Sequence, residues 1–247
     1  MFNFLNPITD ISYKLNGFDK KLNLFKKEIN PSIYNNKAVI VCNGPSLIET
    51  DLSLLKNVFS VGLNKINLLF DKVEWRPDLI ISVNPLVINQ NWDFFVNSNI
   101  PVILDYRYSK KSDKVHYVCS KSTEKFYKDI TKGINQGYTV TYAAMQVLFY
   151  LGFKKVTLVG CDHNFFVNKK VEPNMKRVMN ELDVNHFDKN YFSKGQEWHT
   201  PDLINSEFYY SIAKKNYEEN NRKLTNSTIE GKLEIFDRIS LAEWVLD

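Results

Sequence analysis

Three cysteines in 247 residues, Cys42, Cys119 and Cys161, with no CxxC spacing, leave neither a disulfide framework nor a zinc ribbon, and predict a reducing compartment. No apolar run approaches the roughly 18 residues of a membrane span. The first residues lack a basic leader, a continuous apolar stretch and a small-residue cleavage site, so the expectation is a cytoplasmic chain. There is no block of five like charges, and the net charge is only +4 from 32 basic and 28 acidic residues, so no nucleic-acid partner is expected. GxGxxG and GxxxxGK[ST] are both missing, which removes the dinucleotide and P-loop fingerprints. HEXXH and comparable ligand spacings are missing as well, so neither a metal nor a resident cofactor is expected.

What is there is an ordinary globular composition, 44% hydrophobic with 13 Tyr and 17 Phe, enough for one α/β domain with a small appendage. β-rich runs recur at 38–41, 58–64, 77–85, 100–106 and, more weakly, 114–119, with helical or irregular pieces between them. That alternation predicts a Rossmann-like α/β fold, a mostly parallel sheet with helices on both faces. "TVTYAAMQVLFYL" (139–151) is apolar around most of its circumference, which predicts a buried helix capped by Thr139 or Thr141 and stopped by Gly152. The buried strand "KKVTLVGCD" follows at 154–162. A last helix is expected over about 206–219, then short strands in "KLTNST" and "KLEIF". Residues 1–36 read as a helical extension, 37–247 as the catalytic domain and 164–201 as a lid-like loop. Lysines between helically spaced apolar residues in the extension would suit packing on the domain or a partner copy, or a peripheral membrane contact; a homo-oligomer is compatible with this.

The chemistry concentrates at strand ends. "AVIVCNGPSL" (38–47) places four turn formers after the most strand-like run, where an open α/β sheet binds ligands. Asn43, Gly44 and Ser46 could hold phosphate or sugar oxygens there, although Asn-Gly-Pro-Ser is also a good turn by itself. Asn64 and Asn84 repeat the pattern after the second and third runs, and carboxamides both donate and accept, as a ribose and a pyrimidine require. The helix start at Thr139 and Thr141 offers free N–H groups to an anion, or simply a cap. Asp162, His163, His186 and His199 lie in "GCDHNF", "NHFDKNYF" and "EWHTPD"; histidine is the natural base near neutral pH, though a lone loop histidine is commonly a surface residue.

The pieces "VIVCNGPSL", "VGLNKI", "ISVNP", "TVTYAAMQVLFYLGFKKVTLVGCDHNF" and "HTPDLINSEFYYSIAKKNYE" resemble the bacterial CMP-sialic-acid-dependent sialyltransferases. They resemble still more closely the 6-hydroxymethylpterin diphosphokinase MptE-like proteins and the related flagellin-modifying Maf glycosyltransferases, over about 37–236. The resemblance implies an inverting, metal-independent glycosyltransferase that carries an acidic sugar (sialic, legionaminic, pseudaminic or Kdo type) from a CMP-activated donor to a glycan acceptor, such as a surface polysaccharide. It implies nucleotide or donor contacts at Asn43, Gly44, Asn64, Asn84 and Thr139, and a catalytic base at His199, with His186 as the other candidate. Gly137 and Val140 stand where that family has an arginine and a serine, and Asn164 where it has a leaving-group tyrosine. Tyr138, Tyr191 or a loop lysine could then serve the departing phosphate, and Arg107, Lys65 or the helix start at Thr139 the donor carboxylate. The alternative is a Mg-ATP-dependent diphosphokinase with Asp162 and Asp188 on the metal; a third reading is a sugar-nucleotide-binding protein without chemistry.

Overall fold

The structure, a computed structural model, describes residues 7–165 and 172–247. Two helices open it, α1 (Pro7–Leu15) and α2 (Phe18–Glu28), separated at Gly17, which takes a left-handed conformation with φ 69°. Phe18, Leu22 and Phe25 of α2 are buried, and Phe18 packs on Tyr106 and Tyr117. The apolar positions that set the helical spacing of the extension are thus largely covered by the chain itself. Leu15 and Leu24 remain exposed.

The first half of the domain runs through β1 (Lys37–Val41), β2 (Phe59–Leu63) and β3 (Leu79–Ser82), then α3 (Pro85–Gln90), α4 (Trp92–Asn97), β4 (Val102–Asp105) and β5 (His116–Val118). The second half contains α5 (Val140–Leu151), β6 (Lys155–Val159), the pair β7 (Lys176–Val178) and β8 (Glu197–His199), α6 (Leu203–Glu218), β9 (Lys223–Asn226), β10 (Asp237–Arg238) and α7 (Leu241–Leu246). Eight strands form one sheet in the order β10-β9-β6-β1-β2-β3-β4-β5, and every neighbouring pair is parallel. A parallel sheet covered on both faces needs strands apolar throughout, and β1 through β4 are fully buried. Among the described residues no helix is long and apolar enough to cross a membrane.

The chain builds outward from β1 to β5, then returns to lay β6 on the other side of β1. The order reverses between β1 and β6, and crossover connections on either side of such a point diverge and leave a crevice beyond the strand C-termini. Three expectations are corrected. "KLEIF" forms no strand; the edge strand is the next two residues, Asp237–Arg238, set by pairing with Thr225 and Asn226. The loop over 164–201 contains the antiparallel pair β7–β8, Lys176 opposite His199. The expected single N-terminal helix is two.

Candidate active site

The crevice at the reversal point is a cleft with a cavity of about 200 Å³. Asn43 and Gly44 after β1, Asn64 after β2 and Asn84 after β3 all line it. So do Thr139 and Thr141 at the start of α5, and Asp162 and His163 after β6. His186 and His199 reach it from the loop that lies over these ends. Ser46 does not line it.

The asparagine side chains are oriented by their neighbours. Asn43 is buried, its Nδ2 donates to the Leu63 carbonyl at 3.1 Å, and its Oδ1 is buried without a partner among the described residues. Asn64 sits at φ 49° and accepts from Ser82 Oγ at 3.0 Å. Tyr138 (φ 60°) and His163 (φ 55°) are also left-handed and line the cleft. Asparagine tolerates this region, whereas for tyrosine and histidine it is uncommon and clusters where function holds the backbone. Asn84 caps α3: its Oδ1 accepts from Leu86 N at 2.9 Å, and its Nδ2 therefore faces His199 Nδ1 at 3.3 Å. Thr139 caps α5 by accepting from Thr141 N at 3.2 Å, leaving the other first-turn N–H groups directed to the cleft end of the helix.

Asp162 serves the fold first. Both its oxygens are taken by Ser46, whose hydroxyl and backbone N–H donate to them. Each histidine that lines the cleft has its own partner. His163 Nε2 meets Glu207 Oε1 at 3.0 Å; burial pulls its pKa below the usual value, against the raising effect of Glu207. His186 Nδ1 meets Asp183 Oδ2 at 2.8 Å, and its ring stacks on Tyr191 at 3.9 Å with planes 4° apart. His199 has its pKa lowered by burial and then by Lys176, against Glu197.

Two expected cations lie elsewhere. Arg107 donates to the Ser120 carbonyl beside α1, where Thr9, Ser12 and Lys111 line a separate depression. Lys65 is buried beneath the loop, donating to the Tyr191 carbonyl at 2.7 Å and to Gln196 Oε1 at 3.1 Å. No Lys, Arg or Glu lines the cleft among the described residues, and none of their His, Cys, Asp and Glu form a group of three that could hold a metal. Asp188, offered to a metal in the kinase reading, pairs with Lys72 at 2.6 Å. Tyr138 and Tyr191 do line the cleft. Asp183, Glu207 and Tyr210 were not anticipated; the Asp-x-x-His spacing of 183–186 was the available signal for the first.

The model of the family described as "6-hydroxymethylpterin diphosphokinase MptE-like" matches residues 10–168, close to two-thirds of the chain. No curated protein matches. Among solved structures, the Maf glycosyltransferase from Magnetospirillum magneticum AMB-1 superposes with a TM-score of 0.52 at 15% identity, over 83% of this chain and 33% of that one. The likeness is one of fold, and this chain spans about a third of that protein's length.

Proposed function

The chain belongs to the 6-hydroxymethylpterin diphosphokinase MptE-like family, and we propose that within it this protein is an inverting, metal-independent glycosyltransferase moving an acidic sugar from a CMP-activated donor to a glycan acceptor. The observation that carries the reading is the convergence of Asn43, Asn64 and Asn84, the Thr139 helix start and two loop histidines on one cleft at the reversal point of the sheet. Amides pair with ribose and pyrimidine edges, and the N–H groups of a helix start suit a single phosphate. Tyr138, Phe165, Phe192 and Trp198 add aromatic faces on which a sugar ring can stack. The fold shared with a Maf glycosyltransferase is consistent with this use of the cleft.

The family description favours a second reading, transfer of diphosphate from Mg-ATP to a pterin alcohol. That chemistry requires carboxylates for magnesium and cations for the transferring phosphates. Among the described lining residues the one carboxylate is Asp162, already held by Ser46. The cavity is smaller than the roughly 300–1,000 Å³ of typical small-molecule sites, so a nucleotide sugar would extend beyond it.

A thermal-shift panel of CMP, CDP, UDP, GDP and ATP, each with and without magnesium, separates the readings. Stabilisation by CMP, indifferent to magnesium and about 2.7 kcal/mol at a hundredfold excess over Kd, is the expected result. Stabilisation by ATP with magnesium and none by CMP would replace the transferase with the kinase.

A further inference from the structure

The two histidines of the covering loop have opposite hydrogen-bond polarity. His186 Nδ1 faces the carboxylate of Asp183, a buried side chain whose Oδ1 also accepts from Asn185 N at 2.9 Å. A carboxylate oxygen accepts, so the proton of neutral His186 sits on Nδ1 and its Nε2 carries a lone pair. No described residue uses that Nε2, and the stack on Tyr191 fixes the ring plane. At His199 the order is reversed. The Asn84 amide cannot turn over, because its Oδ1 is spent on the first N–H groups of α3. Its Nδ2 donates to His199 Nδ1, which places the proton of neutral His199 on Nε2.

A general base must present a lone pair to the proton it takes, and a carboxylate behind it stabilises the imidazolium that forms. His186 meets both conditions. His199 meets neither, since its lone pair is occupied and its positioning group is a neutral amide. We propose that His186, oriented by Asp183, takes the proton of the acceptor hydroxyl, while His199 donates a hydrogen bond from Nε2–H to the departing phosphate. This rests on the transferase reading above. The acceptor oxygen forms its bond to the anomeric carbon, and its proton passes to His186 Nε2. The bond from that carbon to the phosphate oxygen breaks, its electron pair stays on CMP, and the new charge meets His199. Asp183 and Asn84 are positioning residues.

The test is CMP release from CMP-N-acetylneuraminic acid with water or azide as acceptor, in wild type, His186→Ala and His199→Gln. Azide attacks without losing a proton, so it bypasses a missing base but not a missing leaving-group donor. His186→Ala should lose on the order of 10²–10⁴-fold with water and recover to within about tenfold with azide. His199→Gln should stay slow with both. The reverse pattern overturns the assignment, as does rescue of both or of neither. Wild-type protein that releases no CMP above the spontaneous rate removes the transferase reading itself, a separate outcome. Histidine ¹⁵N spectra of the wild-type protein test the tautomers without turnover: Nδ1–H at His186 and Nε2–H at His199 are expected, and the opposite at either position sinks the assignment.

Discussion

The Asp162 carboxylate holds Ser46 twice, accepting from its hydroxyl at 2.7 Å and from its backbone N–H at 3.0 Å, and so ties the end of β6 to the turn after β1. The turn comes this close because residue 44 has no side chain. A Cβ there would lie 2.0 Å from Asp162 Oδ2 and 2.7 Å from the Gly160 carbonyl. Gly44→Ala should therefore cost about 1–3 kcal/mol, the range for forcing atoms into a packed site. Asp162→Ala should cost a similar amount by orphaning two donors. Urea denaturation checks both; an Asp162→Ala protein of wild-type stability with lost turnover would return Asp162 to the chemistry.

His116 packs against Phe25 with ring centroids 4.4 Å apart, and its Nδ1 is buried without a partner among the described residues. Burial, aided by Lys21, pulls its pKa down to about 4. Between about 4 and the usual 6.5 the unfolded chain binds a proton that the folded chain does not. Stability is thus complete above 6.5 and falls as pH drops through that window. His163 and His199, also lowered by burial, act in the same direction. His116→Leu should flatten the fall between pH 7.5 and pH 5 measured by denaturant midpoints; an unchanged slope would place the acid sensitivity elsewhere.

The parallel sheet was legible because strands covered on both faces are rich in apolar residues: β1, β3 and β4 carry unbroken apolar runs, while β2 is interrupted by Ser60 and Gly62 and is still fully buried. Helix α5 was legible for a similar reason, with Thr139 capping it and Gly152 stopping it in a left-handed turn. Helices α3 and α4 were missed: each is six residues, too short for a period, and only Asn84 followed by Pro85 marked a start. The asparagines at strand ends were readable because a strand end fixes where its next residue stands. Lys65 and Arg107 drew attention by charge alone, and where the loop and α1 pack over them decided their partners. The Asp-x-x-His spacing marks Asp183 as a partner for His186, but the fold of the loop, not that spacing, brings His186 over the cleft.

Lys65 fastens that loop. Its ammonium donates to the Tyr191 carbonyl and Gln196, and lies 4.5 Å from the Phe192 ring centre. Burial lowers its pKa to about 8, with Asp183 acting in the opposite sense. The unfolded chain holds this proton up to about 10.5, so the contribution of Lys65 to stability is smallest below pH 8 and rises from there to 10.5. Lys65→Met keeps the volume and removes both donations; Gln196 Oε1 keeps the Ser193 N–H, while the Tyr191 carbonyl loses its Lys65 donor. Trypsin should then cut faster after Lys189 and Lys194 than in wild type, while cleavage elsewhere is unchanged. Equal rates at these sites would mean the loop is held by other contacts, such as Phe187 N on the Asn43 carbonyl.

Asn84→Asp isolates the polarity of His199 from the stability of the site. Aspartate caps a helix as well as asparagine does, so α3 keeps its start. The change replaces the Nδ2 donor with an oxygen that only accepts, and His199 must turn its proton to Nδ1 to meet it. A carboxylate at this distance also favours the imidazolium, so the pKa that burial and Lys176 hold down should rise. Because the folded protein then retains this proton more readily, Asn84→Asp should gain stability relative to wild type as pH falls below about 6.5. Histidine ¹⁵N shifts report the tautomer and its titration directly. Turnover measured above that raised pKa, where His199 is neutral, gives the opposite sign for the two roles: a His199 that donates to the leaving phosphate has lost its Nε2–H and slows, whereas a His199 that acts as base gains a free Nε2 and a carboxylate behind it, and speeds up.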